Sequence, residues 1–365
     1  MRNSFFIILI LALLICSLGI ISIYSSTYQK EGKVWQVVYK RQIVWIIFGM
    51  LAYLAISRFS YRKLWDISYI LYGLALFFLF LVFLLGAVHL GAQRWLKIIW
   101  FNFQPSEFAK LITVIFLSRY FSKSSCDNFS LSCAHSGIFR ALILPFLFVA
   151  IPMGMIIEQP DLGSALMLFA VFLIIFYLSG VKTRYIFILL ATIMLSIPLF
   201  WHFLRDYQKE RLMVFLNPNI DPLGAGYTII QSKIAIGSGG LFGKGWLSGT
   251  QSQLHFLPEA HTDFIFATFA EEWGILGSSL LLLLYYLLIR RGFIIAQRSH
   301  DPFGRILALG ISASLSVQVF VNIAMNFGIA PVVGLPLPLM SYGGSSVLVT
   351  FIALGVLVSI DRRTS

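Results

Sequence analysis

Carboxylates are scarce in this chain. Only 15 of its 365 residues are Asp or Glu against 27 Lys and Arg, and charged residues of both signs make up 12%. A soluble domain carries about 25%, so that class is excluded, and 59% hydrophobic residues point to a polytopic membrane protein. Cysteine is scarce too. Cys16 lies in an apolar run and Cys126 and Cys133 in one polar loop, with neither a zinc spacing nor a disulfide framework. No glycine-rich stretch leads into GKS or GKT, so a nucleotide-phosphate loop is missing. The net charge of +12 therefore reads as loop bias and contact with anionic lipid headgroups. Nucleic acid is not expected as a partner.

What is abundant is apolar runs. A spanning helix needs about 20 mostly apolar residues, and candidates lie near 5–24, 43–57, 67–88, 105–121, 140–157, 162–179, 184–203, 264–289, 305–328 and 345–360. The expected fold is an all-α polytopic membrane protein, one domain over residues 1–365, with about ten spans. The first span is too long for a signal-peptide core and reads as a retained helix. A long extracytoplasmic loop, 204–262, joins the seventh span to the eighth. Most Lys and Arg of the short loops fall inside when both termini are cytoplasmic. The exception is the first outer loop, with Lys30, Lys33, Lys40 and Arg41 against Glu31.

That topology puts the unusual polar stretches on or just below the outer face. They are GAQRWLKIIW, QPSEFAK, EQPDLGSA, the end of the long loop, and GIAPVVGLPLPLMSYGGSS. The stretch HFLPEAHTDFIFATFAEEWG (255–274) concentrates the rare acids Glu259, Asp263, Glu271 and Glu272. At about 1.5 Å rise per residue, Lys110 lies roughly 7–8 Å below Pro105. Glu271 and Glu272 lie roughly 12–14 Å past Asp263. Ionisable groups at such depth face a partner or a wet cavity. Glu107 and Lys110, three apart, form one helix-face pair expected to line a functional cavity. Glu271 and Glu272 fit structural ion pairing equally well. Asp263 has two readings: a first-turn acid behind the capping residue Thr262, or a general base with its proton tuned by Glu259 and His261. The loop segment 226–251 is either a flexible crossover or a re-entrant piece bringing Lys233 to an anionic headgroup. Pro331, Pro336 and Pro338 exclude a regular helix before Ser341.

AQRWL, QPSEFAK, QPDLGSA, GYTIIQSKIAIGSGGLFGKGW, LPEAHTDFIFA, AEEWG and PLPLMSYGGSS, in this order over essentially the whole chain, resemble the SEDS family of bacterial shape, elongation, division and sporulation proteins. GAQRWL and GTQSQLHFLPEAHTDF look more like its rod-shape members than its division members. The resemblance implies a peptidoglycan glycosyltransferase of the bacterial inner membrane that polymerises lipid II at the outer leaflet. It places the family's catalytic Asp on Asp263 and its embedded acid and lysine on Glu107 and Lys110. Such chemistry needs one carboxylate to deprotonate the acceptor 4-hydroxyl and cations for the departing diphosphate. Arg41, Arg94, Lys110, Arg211 and Lys233 are the candidates for the latter. Glu259, His261, Thr262 and Ser341 complete the expected substrate-binding set. No tightly bound cofactor is expected; a divalent Mg or Mn ion is the candidate co-ligand, its site unknown. The transpeptidase motifs SDN and KTG are absent, and the resemblance implies a class B penicillin-binding protein as partner, with other membrane proteins of the elongation complex. The alternatives are a lipid II flippase and a non-catalytic scaffold.

Overall fold

The computed structural model describes all residues except 1, 30–36, 90–91, 99–100, 127–141, 182, 204–205, 223, 225 and 365. Lys30, Glu31, Lys33 and Cys133 therefore lie outside the described residues. Ten long helices stand where apolar runs were expected: α1 Arg2–Thr27, α2 Val38–Arg58, α3 Arg62–Leu85, α4 Pro105–Cys126, α5 Leu144–Glu158, α6 Leu162–Leu178, α7 Thr183–Phe203, α11 Ile265–Arg298, α12 Pro302–Asn326 and α13 Gly344–Thr364. Six of them are long and apolar enough to cross a membrane, and shorter apolar helices accompany them. The protein is a polytopic membrane protein.

Local sequence sets the helix ends. Asp301 caps α12, its carboxylate accepting the Gly304 N–H at 3.1 Å, with Pro302 behind it. Asp161 does the same for α6 through the Ser164 N–H at 3.2 Å. Pro105 opens α4, where its missing N–H costs nothing. Packing then sorts centre from rim. In α13, 83% of the most apolar window is buried, against 28% in α2 and α3; α13 is the axis, and the outer helices show Phe77, Phe80 and Leu84 to the lipid. The core itself is aliphatic and aromatic, with Phe172, Phe176, Phe266 and Phe351 fully enclosed.

Two features depart from an all-helical chain with one plain loop. Residues before α4 form a small antiparallel sheet, β1 Ala87–His89, β2 Ala92–Ile98 and β3 Phe101–Phe103, in that order. Its short strands alternate too briefly to stand out among apolar runs. The long loop is also built: α8 Asp206–Leu216, a 3-10 turn Pro218–Ile220, α9 Tyr227–Ser238 and α10 Thr250–Gln253. Beyond α9, the chain is woven into α11. At Gly274, φ is +63° and the helix breaks. The carbonyls of Glu271 and Glu272 then accept the N–H groups of Lys244 and Gly245, both at 3.0 Å. Ile275 and Leu276 donate back to Gly240 and Leu241 at 2.9 and 3.1 Å. The free crossover reading of this segment fails, because its backbone supplies the helix's missing partners.

Candidate active site

One end of the bundle gathers the start of α11, the ends of α5 and α12, the starts of α4, α6 and α13, and the sheet. Its centre is PEAHTDF. Glu259 sits at φ +49°, and its carbonyl accepts the N–H groups of Thr262 and Phe264 at 3.1 and 3.3 Å. These turns lead into Asp263, which lies before the helix; the helix starts at Ile265 with no side-chain cap from Phe264. The Thr262 hydroxyl donates to Glu259 Oε2 at 3.0 Å. The N-cap position falls on Phe264 and no acid lies in the first turn, so the helix-capping reading of Thr262 and Asp263 does not hold.

The Asp263 carboxyl keeps some accessible surface but is walled by protein. Loss of solvation pushes its pKa up to about 7; the charge of Glu259 adds to the rise, and Arg94 and Arg211 oppose it. Asp161 contributes a smaller rise. A carboxyl poised near neutrality suits proton abstraction.

Both arginines are held by carbonyls. Arg94, on β2, donates through Nε to the Gln159 carbonyl at 3.3 Å and through Nη2 to that of Pro160. Its Nη1 lies 3.9 Å from Asp161 Oδ1. The second oxygen of Asp161 accepts from Ser106 at 3.3 Å and Gln104 at 3.5 Å. So AQRWL, QPSEF and QPDLGSA meet at one aspartate. Arg211 reaches from α8 to the Val332 carbonyl, 3.3 Å away. Between Asp263 and Arg94 lies Gly334, at φ +70°. A Cβ there would sit 3.5 Å from Asp263 Oδ2 and 3.9 Å from Arg94 Nη1. Glycine therefore keeps open the gap between carboxylate and guanidinium.

The proline-rich loop 331–341 forms the floor. Gln318, one turn before Asn322 on α12, donates to the Pro336 carbonyl at 2.9 Å, and Asn322 donates to that of Leu335 at 2.7 Å. Ser341 is buried; its hydroxyl donates to the Thr262 carbonyl at 2.6 Å and accepts the Leu337 N–H at 2.7 Å. That hydroxyl staples two loops. His261 is buried, its carbonyl accepting the Tyr342 N–H at 3.0 Å and its ring tilted over Tyr342.

Below this end, Lys110 Nζ meets Glu107 Oε1 at 2.7 Å, both side chains buried. They line a small groove of about 30 Å³ with Ser314, Gln318 and Thr350. Gln318 thus touches both groove and loop. The structure leaves Arg41 and Lys233 elsewhere. Arg41 is exposed on α2, and Lys233 is exposed on α9, its Nζ 2.8 Å from where a Cβ on Gly328 would stand. Neither joins the described contacts of Asp263. Glu271 and Glu272 are buried at the break in α11. Glu271 takes Lys244 at 2.8 Å, Thr250 at 3.0 Å and the Gln251 N–H at 3.1 Å; Glu272 takes Ser25. Among the described residues, no three His, Cys, Asp or Glu gather as a metal site. Asp161, Gln318, Asn322 and Asn326 are polar residues of this end that the sequence analysis passed over.

A family model described as "Cell cycle protein", covering FtsW, RodA and SpoVE, matches residues 5–365. The chain belongs to this family. Among the family's members, the peptidoglycan glycosyltransferase MrdB of Escherichia coli K12 is 44% identical over 98% of this chain and 92% of its own length. The peptidoglycan glycosyltransferase RodA of Treponema pallidum is 32% identical over 98% of this chain and 97% of its own. Among solved structures, a chain from a peptidoglycan synthase complex coordinating polymerization and crosslinking superposes with a TM-score of 0.81, at 33% identity over 98% of this chain and 97% of that one. The rod shape determining protein RodA of Thermus thermophilus gives 0.70, at 29% identity over 97% and 95%. Family membership extends over the whole fold, so every residue of the recess falls within it.

Proposed function

We propose that this protein is a peptidoglycan glycosyltransferase that polymerises lipid II into glycan strands for cell elongation. The observation that carries the reading is Asp263, a carboxyl with its pKa near 7, open across Gly334 toward Arg94 and flanked by Arg211. In the reaction, Asp263 takes the proton of the acceptor sugar's 4-hydroxyl. That oxygen bonds to the donor's anomeric carbon as the carbon–oxygen bond to the diphosphate breaks. Undecaprenyl diphosphate leaves with the electron pair, and its charge is met by the guanidinium groups of Arg94 and Arg211. One base and two fixed cations differ from the two-carboxylate arrangement of glycosidases. A divalent ion that takes part would arrive on the diphosphates, since among the described residues no three His, Cys, Asp or Glu gather to hold one.

Beneath, Lys110, paired with Glu107, is a further cation for the substrate's diphosphate. The protein then lies in the bacterial inner membrane with both termini cytoplasmic and Asp263 outside. The absence of transpeptidase motifs and the likeness to a synthase-complex chain support a class B penicillin-binding protein as partner.

The test is lipid II polymerisation by the purified protein with its candidate transpeptidase, comparing wild type with Asp263→Ala. Strands from wild type alone are expected. Strands from both would remove Asp263 from the mechanism. Lipid II crossing reconstituted bilayers, with strands from neither, would favour transport.

A further inference from the structure

Asp263 stands where α11 would begin if nothing intervened. In a regular helix its carbonyl would accept the N–H of Ala267, four residues on. Here that bond is opened and a side chain inserted. Asn326 Oδ1, from the last residue of α12, accepts the Ala267 N–H at 3.1 Å. Asn326 Nδ2 donates to the Asp263 carbonyl at 3.1 Å. Asn322, one turn earlier, donates to the same carbonyl at 3.0 Å. The first regular bond of α11 is then that of Thr268 to Phe264, at 3.2 Å.

Both amides are fully buried, and they are tied to the surrounding parts. Asn322 Nδ2 also holds the Leu335 carbonyl, next to Gly334. Asn326 Nδ2 bonds the Asn322 carbonyl at 2.8 Å, and the Asn326 carbonyl accepts from Ser232 of α9 at 2.8 Å. A carboxamide is the short neutral group that offers a donor and an acceptor together. A carboxylate of the same shape lacks the donor, and an isosteric leucine lacks both.

We infer that Asn326, assisted by Asn322, is a positioning residue: its amide splices into the first turn of α11, keeps Asp263 outside the helix, and so sets the carboxyl against Arg94 and Arg211 across Gly334. Without the splice, the Asp263 carbonyl and the Ala267 N–H rejoin, the helix gains one bond backwards, and the carboxyl swings off the gap. The charged groups that now face it are Arg94 from β2, Arg211 from α8, Asp161 from α6 and Glu259 from its own turn. All four would act on it differently. The inference rests on the base role proposed above for its catalytic consequence, though not for its geometry.

Two readouts on the full-length protein separate the geometry from the role. The first is labelling of Asp263 by a hydrophobic carbodiimide between pH 5 and 9, followed by peptide mass spectrometry. The reagent consumes the protonated carboxyl, so the labelling midpoint reports its environment without catalysis. The second is the rate of lipid II polymerisation. Asn326→Leu is expected to move the labelling midpoint down by a unit or more and to lower kcat at least tenfold, with KM little changed. Asn322→Ala removes one donor and keeps the splice; it is expected to move both readouts the same way by less, and it covers the case in which Asn326→Leu does not fold. An unmoved midpoint in a folded variant overturns the inference. A moved midpoint with wild-type kcat leaves the positioning intact and overturns the base role of Asp263 instead.

Discussion

The two ends of one short stretch treat their acids oppositely. At the break in α11, Glu271 is wholly enclosed and its oxygens accept from Lys244, Thr250 and Gln251. Eight residues earlier, Asp263 keeps accessible surface, and Arg94 stands across a gap kept clear by Gly334. A carboxylate whose acceptor sites are filled can only hold structure. One raised toward neutrality beside an open gap retains capacity for a proton and a substrate. The chain's scarce acids are put to both purposes within this one stretch, and burial alone does not tell the two apart.

Asp263→Asn should break the comparison hardest. It keeps shape and removes the base, so polymerisation should fall at least a hundredfold while thermal melting at neutral pH is kept or raised, because the variant carries no charge to bury. Melting that collapses with activity would make Asp263 structural after all. Next comes Gly334→Ala. Its Cβ enters the gap in a left-handed conformation that costs about 1 kcal/mol or more, and kcat/KM should drop about tenfold. An unchanged rate would mean that the gap holds no reacting group. Glu271→Gln should do the reverse, lowering stability by about 1–3 kcal/mol through loss of charged hydrogen bonds, with kcat per folded molecule nearly intact. Equal losses in rate and stability would erase the contrast.

The smallest effect is one of pH. The folded state raises Asp263 from 3.8 to about 7, so between these values it keeps a proton that the unfolded chain has released. Stability contributed by this group therefore falls as pH rises from about 4 to 7. The acid limb of kcat/KM should rise through about 7 over the same approach, as the base form appears. Thermal melts and rates across pH 5–9 in wild type and Asp263→Asn check both slopes; the variant should lose the stability slope. A slope that survives in it belongs to another group.

How much of this was readable beforehand depended on charge and locality. The ten helices followed from apolar runs, and Asp263, Glu107 and Lys110 stood out because ionisable residues are costly in such surroundings. Gln318, Asn322 and Asn326 recur every fourth residue on α12, a face-specific spacing. It drew no attention because amides carry no charge and α12 reads as an ordinary apolar span. Asp161 stood unremarked inside the polar stretch QPDLGSA, because its ion pair with Arg94 needs a strand 67 residues away to arrive beside it. The bond of Arg211 to Val332 spans the long loop and is set by tertiary packing alone. Arg41 and Lys233 show the converse. A basic residue in the right loop carries no information about which way its stem points.

The break at Gly274 divides α11 into two rods. The outer one, Ile265–Trp273, is nine residues long, about 13 Å, with Asp263 at its tip and the borrowed backbone of residues 240–245 at its base. That rod is hinged to the rest of the helix and riveted to the loop. The rod is thus held at both ends, by Asn322 and Asn326 of α12 at its tip and by the loop at its base, so a displacement of the loop would be passed to the segment that carries the carboxyl.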